Sequence, residues 1–191
     1  MALEDYALCS LRQVKLLIEL PGEEDTDINS TLELIINGIS RTMINYCNLD
    51  NLKKTSYTEY SNGNGTNLIF TRNIPITQIT SLHDSVSWDY DTNSLINSSN
   101  YRIVNQIYIM LKNTIAVEGF GNIQNVYTAG LDPVPDNIVQ DCAQESLRAY
   151  QNRKDLGVLT ITRNDGSVTY MERGLMKQTK EDLNPYRRLH V

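Results

Sequence analysis

Apolar residues in the first fifty positions recur at helical spacing. Ser10 stands where an N-cap belongs, and Leu11, Val14, Leu17 and Ile18 then share one face until Pro21-Gly22 stops the segment. A short amphipathic helix is expected over 10–19. The acidic run Glu23-Glu24-Asp25-Thr26-Asp27 sits where the positive end of a second helix dipole favours carboxylates. From there Ile28, Leu32, Ile35, Ile36, Ile39, Met43 and Ile44 carry one apolar face to about Cys47, which predicts a long helix.

After Asn48 the period shortens. Thr, Tyr, Ile and Val come in brief alternating runs broken by Asn, Gly, Ser and Pro, the texture of strands and turns. Strands are expected at Tyr57–Tyr60, Asn67–Thr71, Ile76–His83, Tyr101–Val104, Ile107–Leu111, Thr114–Glu118 and Ile123–Thr128. Asn62-Gly63-Asn64-Gly65 is expected to close a hairpin between the first two, because Asn and Gly tolerate positive φ. Asn105-Gln106 and Lys112-Asn113 would space three further strands as a meander.

Pro133 and Pro135 end this lobe. Asp136-Asn137 then open a third helix whose face is Ile138, Cys142, Ala143, Leu147 and Tyr150, expected to reach about Arg153 and to pack on the second. Farther on, an Asn164-Asp165-Gly166 turn would join Leu159–Arg163 to Ser167–Met171 as a hairpin arm, ahead of a short polar helix from Lys177 to Leu183. The expected class is α+β. Residues 1–50 begin a helical body, built of two long helices and a short N-terminal one. Residues 51–132 form an inserted antiparallel β lobe, 133–156 hold the helix that completes the body, and 157–191 form an extended C-terminal hairpin arm and tail.

Composition narrows the function. The 191 residues are 40% hydrophobic and 21% charged, as expected for one globular body with a core. Apolar runs such as Leu16–Leu20 fall far short of the roughly 20 residues that cross a bilayer. The start, Met1-Ala2-Leu3-Glu4-Asp5, has no basic n-region, so a cytoplasmic site of synthesis and no membrane partner are expected. Cys9, Cys47 and Cys142 are odd in number and far apart, and read as reduced thiols. The net charge of −6 is unevenly spread: residues 1–147 carry 8 basic and 18 acidic side chains, and 148–191 carry 9 and 5. A basic tail on an acidic body suits contact with an acidic partner or with the body of a neighbouring copy.

Catalytic chemistry finds little support. The two histidines, His83 and His190, lie at a strand end and at the penultimate position. Gly63-Asn64-Gly65 lacks the helix and Lys-Ser or Lys-Thr of a P-loop. Asp89-Tyr90-Asp91-Thr92-Asn93 opens like a calcium loop, but Ser94 replaces the glycine at loop position six and Asn100 the glutamate at twelve. Three Asn-x-Ser/Thr matches, at Asn29, Asn64 and Asn97, are silent without a secretory signal. A pI near 4.9 speaks against a nucleic-acid-binding face, and most of the 11 tyrosines fall on strands. No enzyme, metal or cofactor is expected. An assembly part with exposed β edges and a tail of opposite charge is.

In order along nearly the whole chain, these segments resemble the head–tail connector (adaptor, or head-completion) family of siphovirus-type bacteriophages. The resemblance rests on the helix from Ser10 and the Ile-rich helix ending Ile44-Asn45-Tyr46-Cys47. It continues through Tyr57-Thr58-Glu59-Tyr60 with its Asn-Gly run, Leu68–Ile76, Pro133–Ile138, and the end Leu183-Asn184-Pro185-Tyr186-Arg187-Arg188. The stretch Ser85–Asn100 fits least. The resemblance implies a structural virion protein at the head–tail interface, assembled in the host cytoplasm as a dodecameric ring of copies beneath the portal. Such a ring prolongs the DNA channel, passes genomic DNA without reading its sequence, and receives a stopper or tail-completion protein. It also implies that the tail docks on the portal, with Leu183, Pro185, Tyr186, Arg187 and Arg188 as candidates: Tyr186 as an anchor, the arginines as carboxylate binders. A stopper or tail-completion protein is the alternative, followed by a phage-encoded enzyme or a DNA-packaging factor.

Overall fold

The computed structural model describes residues 2–18, 25–154, 160–163, 166–169 and 174–188. The chain forms two compact units, one of residues 1–47 with 134–187 and one of 48–133 with 188–191. The class is α+β, with four α-helices and antiparallel sheets among the described residues.

In the first unit, α1 (Leu11–Leu17) starts with a complete capping box. The Ser10 hydroxyl accepts from the Gln13 N–H, and the Gln13 side chain accepts from the Ser10 N–H at 2.7 Å. Only Val14 of this helix is fully buried; Leu17, expected on the inner face, is half exposed. α2 (Thr26–Tyr46) is capped by Asp25, whose carboxylate accepts from the N–H groups of Asp27 and Ile28. Leu32, Ile36, Ser40, Met43, Ile44 and Cys47 line its buried face at helical spacing.

The N-terminal segment lies along α2, which offers it polar partners from the same face. Asn37 accepts from the Glu4 N–H and donates to the Ala2 carbonyl, each at 3.1 Å, while the Ser40 hydroxyl accepts from Leu8 N–H at 3.0 Å. α3 (Asp136–Gln151) packs against α2 and α1, and α4 (Lys177–Leu183) against α3. The buried stripe of α3 is Ile138, Asp141, Cys142, Glu145 and Ser146, while Leu147 and Tyr150 are only half-buried. Two strands of this unit, β7 (Thr160–Arg163) and β8 (Gly166–Thr169), pair antiparallel; the expected turn residues Asn164 and Asp165 lie outside the described residues.

The second unit holds two three-stranded antiparallel sheets. One has the order β1 (Thr55–Gly63), β6 (Gly119–Ala129), β3 (Ile76–Asp84); the other β2 (Leu68–Phe70), β5 (Tyr108–Leu111), β4 (Tyr101–Val104). Ile69, Ile109 and Leu111 of the second sheet meet Ile76, Leu82, Ile123, Tyr127 and Ala129 of the first in one core. Tyr127, fully buried, donates its hydroxyl hydrogen to Glu59 Oε2 at 2.6 Å and accepts from the Asn73 N–H at 3.1 Å. Burial and the Glu59 carboxylate both push that phenol well above its ordinary range.

The strand pairing corrects two expectations. β1 and β2 do not form a hairpin across Asn62–Gly65: β1 pairs with β6, and β2 with β5 in the other sheet. Gly63 explains why, since a Cβ there would stand 1.7 Å from the Val117 carbonyl oxygen; the chain is clamped against a distant turn instead of folding back on itself. Nor is Thr114–Glu118 a strand. Asn113 takes φ +54°, and the segment crosses with its N–H groups satisfied singly, Ala116 by the Thr66 carbonyl and Val117 by the Asp84 carboxylate. The meander therefore shrinks to the β4–β5 hairpin, whose Asn105 and Gln106 both take the positive φ of a tight turn.

Candidate docking surfaces

The C-terminal segment is positioned from inside α3. Glu145 is fully buried, and its Oε2 accepts from Arg148 Nη2 and Nε at 2.6 and 3.0 Å. Its Oε1 accepts the Met176 N–H just before α4, and Arg148 also donates to the Gly174 carbonyl. One buried carboxylate thus pairs with a half-buried cation and ties down the entry to α4. Asp141, one turn earlier on α3, is buried beside Asp182 of α4. Desolvation first, then the Asp182 and Glu145 carboxylates, push its pKa up to about 6.

At the far end of α4, Leu183 is fully buried, so its side chain belongs to the core of this unit. Pro185 opens a 3-10 turn, Asn184–Tyr186, where its missing N–H costs nothing. Tyr46 at the end of α2 donates to Asn184 Oδ1 at 2.9 Å, and the Arg187 guanidinium lies 5.1 Å from the Tyr46 ring centroid. Burial pushes the neighbouring Cys47 thiol up to about 12 despite Arg187. Pro185 and Arg187 are exposed, Tyr186 and Arg188 partly so. In the other unit, Asn48 takes φ +57° and donates to the Arg188 carbonyl at 3.0 Å. Four of the five tail residues singled out from the sequence, all but Leu183, thus present side chains to solvent.

A second surface was not visible in the sequence. At one end of the β unit, Asn122, almost fully buried, satisfies its whole amide. It accepts from the Gly63 N–H at 2.8 Å and donates to Asp84 Oδ1 at 2.9 Å and to the Val117 carbonyl at 2.8 Å. The Asn122 carbonyl accepts from Ser85 N–H, and Asn62 Oδ1 accepts from Gly121 N–H, each at 2.8 Å. On this frame stand exposed apolar side chains: Phe120 at 83%, Val86 at 66% and Trp88 at 63%.

Trp88 and Tyr90 both take positive φ, a costly backbone for aromatic residues, and each is pinned by its side chain. The Trp88 indole N–H donates to the Phe120 carbonyl at 2.9 Å, and the Tyr90 hydroxyl donates to that of Gly121. Beside them an open cleft of about 590 Å³ is lined by Asp84, Asp89, Asp91 and small polar residues. The calcium-like Asp89–Asn93 stretch is a local turn, since Asp91 Oδ1 accepts from the N–H groups of Asn93 and Ser94 and Oδ2 from the Asn93 amide. Those bonds, that of Ser94 foremost, hold the Asp91 carboxyl below its ordinary range. His83 Nδ1 faces the Asp91 carbonyl and Ser94 hydroxyl; His190 lies outside the described residues. Among the described residues no group of three His, Cys, Asp or Glu side chains could hold a metal, and no helix is long and apolar enough to cross a membrane.

Comparison with known proteins gives this architecture relatives. A chain from the neck of a native gene transfer agent (GTA) particle computed with C12 symmetry shares the fold, with a TM-score of 0.55 and 14% identity over 100% of this chain and 96% of that one. One from the neck of an empty GTA particle computed with C6 symmetry gives 0.52 at 16%, over 100% and 94%. A chain of the native GTA virion gives 0.53 at 16% over the same shares. No curated protein matches by sequence. The family model for head completion proteins matches residues 7–189, and the chain belongs to the head completion protein family.

Proposed function

We infer that this chain is a structural head–tail connector (adaptor) of a tailed-phage-type virion: copies form a ring beneath the portal, extend the DNA channel and receive the stopper or tail-completion protein. The observation that carries this reading is the head completion family match over 7–189. The fold likeness to chains of GTA necks, computed with C12 and C6 symmetry, supports the ring. The role is assembly, with no reaction to catalyse. An acidic body, net −6 over the chain, suits a conduit that must not grip phosphates.

Within this reading residues 157–191 are a hairpin arm followed by the portal-docking tail. Leu183 anchors the tail in its own core, Pro185 sets its direction, and Tyr186, Arg187 and Arg188 make the contact. Replacing both arginines, Arg187→Ala with Arg188→Ala, should weaken portal binding at least tenfold, about 1.4 kcal/mol, and leave the circular dichroism spectrum unchanged. Unaltered binding in a pull-down with purified portal would remove the assignment. The role itself is tested by electron microscopy of particles lacking only this gene, with complementation. DNA-filled or leaking heads beside finished, unattached tails are expected; normally joined particles would refute the connector reading.

A further inference from the structure

We propose that the aromatic end of the β unit, Trp88 and Phe120 with the carboxylates of Asp89 and Asp91 beside them, is a self-association surface that receives the basic segment 148–180 of a second copy of this chain, ahead of the portal-docking tail. The proposal rests on the connector reading, in which copies close a ring.

Two features mark this end as a built surface. The first is rigidity: Trp88 is fixed by its bond to the Phe120 carbonyl, Tyr90 by its bond to Gly121, and the strand ends beneath by Asn122. Solvent-facing loops gain nothing from holding two aromatic residues at positive φ, whereas a contact gains pre-organised apolar area. The second is apolar exposure. Phe120 and Trp88 adjoin one another and stand more than half exposed, as does Val86 two residues before Trp88, and Tyr60 packs against Tyr90 at a tilt of 54° with centroids 5.3 Å apart.

The occupant follows from charge. The cleft beside these rings is lined by three aspartates and no lysine or arginine. Aromatic faces with carboxylates next to them select arginine and lysine, whose stems cover the rings while the heads meet the carboxylates. A phosphate backbone would be repelled. The chain itself carries a matching segment: residues 148–180 hold seven basic and three acidic side chains. Arg153 and Lys177 of that segment are exposed. An acidic aromatic face on one copy meeting a basic face on the next is a heterologous contact, and one such contact repeated closes a ring.

The test places a photo-crosslinking phenylalanine analogue at position 120, and separately at 86, in the full chain supplied to particles that lack it. Mass spectrometry of illuminated, joined particles should find both probes attached within 148–180 of another copy. Attachment to a different virion protein, or to nothing, overturns the proposal. Charge exchange provides a second reading. Asp89→Lys with Asp91→Lys should lower the yield of joined particles about tenfold, and adding Lys177→Glu with Lys180→Glu should restore part of it. An unchanged yield after the first pair also overturns it. Should the wild-type chain be missing from the head–tail joint, the connector reading fails; should it be present with the probes attached elsewhere, only this surface fails.

Discussion

The helical and β units use buried polar side chains differently. In the helical unit Asn37, Ser40 and Glu145 reach from helix faces to backbone groups outside any helix, docking the segments 2–8 and 174–176. In the β unit Asn122 and Tyr127 bind chain ends and crossings between strands already paired by backbone. Exposure divides unevenly too. Of the large exposed apolar side chains among the described residues, Leu16, Leu17 and Leu34 lie in the helical unit and nine others in the β unit. The β unit thus leaves more apolar surface uncovered while fixing it firmly, as a partner-facing surface does. The helical unit invests its polar groups in holding its own termini.

Breaking each device should separate them. Asn122→Ala orphans the Gly63 N–H, the Val117 carbonyl and one Asp84 oxygen at once. A loss of roughly 3 kcal/mol is expected in urea unfolding, with greater proteolysis of 85–100. Glu145→Ala leaves Arg148 and the Met176 N–H without their acceptor and should cost about 2–3 kcal/mol, with hydrogen exchange of α4 rising first. Equal exchange across α3 and α4 would deny that this carboxylate holds the segment.

Asp141 supplies a pH dependence of definite sign. Its pKa of about 6 lies above the ordinary 3.8, so the fold favours the protonated carboxyl. That contribution is whole below about pH 4 and is lost as pH rises through 6. Asp141→Asn should therefore raise Tm at pH 7.5 and make no difference at pH 4; a gain equal at both would show that charge is not the cause. The smallest effect is expected from Phe120→Ala, within about 0.5 kcal/mol of wild type because the ring is in solvent. A large loss of stability there would place the ring inside the fold and take it out of any contact.

Periodicity was legible where structure is local. The α2 face and its Asp25 cap follow from spacing and from one residue type at one position. The inner face of α3 was only half legible. Asp141, Glu145 and Ser146 are polar, and nothing in a hydrophobic pattern announces a carboxylate whose partners are Arg148 and a backbone N–H thirty-one residues away. In the β unit most strands could be placed but not paired. Tyr57 meets Tyr127, seventy positions on, and the Gly63 clamp depends on Val117, so the hairpin that Asn62–Gly65 invites locally loses to a distant contact. Of the surfaces, the tail was visible as a run of Tyr and Arg beside a proline. The aromatic end was not, because Trp88 and Phe120 come together only through the turn that Asn122 fixes.

The order of the first sheet also bears on how the protein is made. Its central strand, β6, is the last of the three to be synthesised; β1 and β3 both pair with it, and β3 is also bridged on its other edge by Leu95. During translation two nine-residue strands therefore emerge and wait for their shared partner until Ala129 clears the ribosome. At ordinary elongation rates that interval is on the order of several seconds after β3 is complete. Nascent chains would spend it exposed to pairing with one another, so synthesis rate and chaperone supply should, along with its final stability, bear on the yield of this protein.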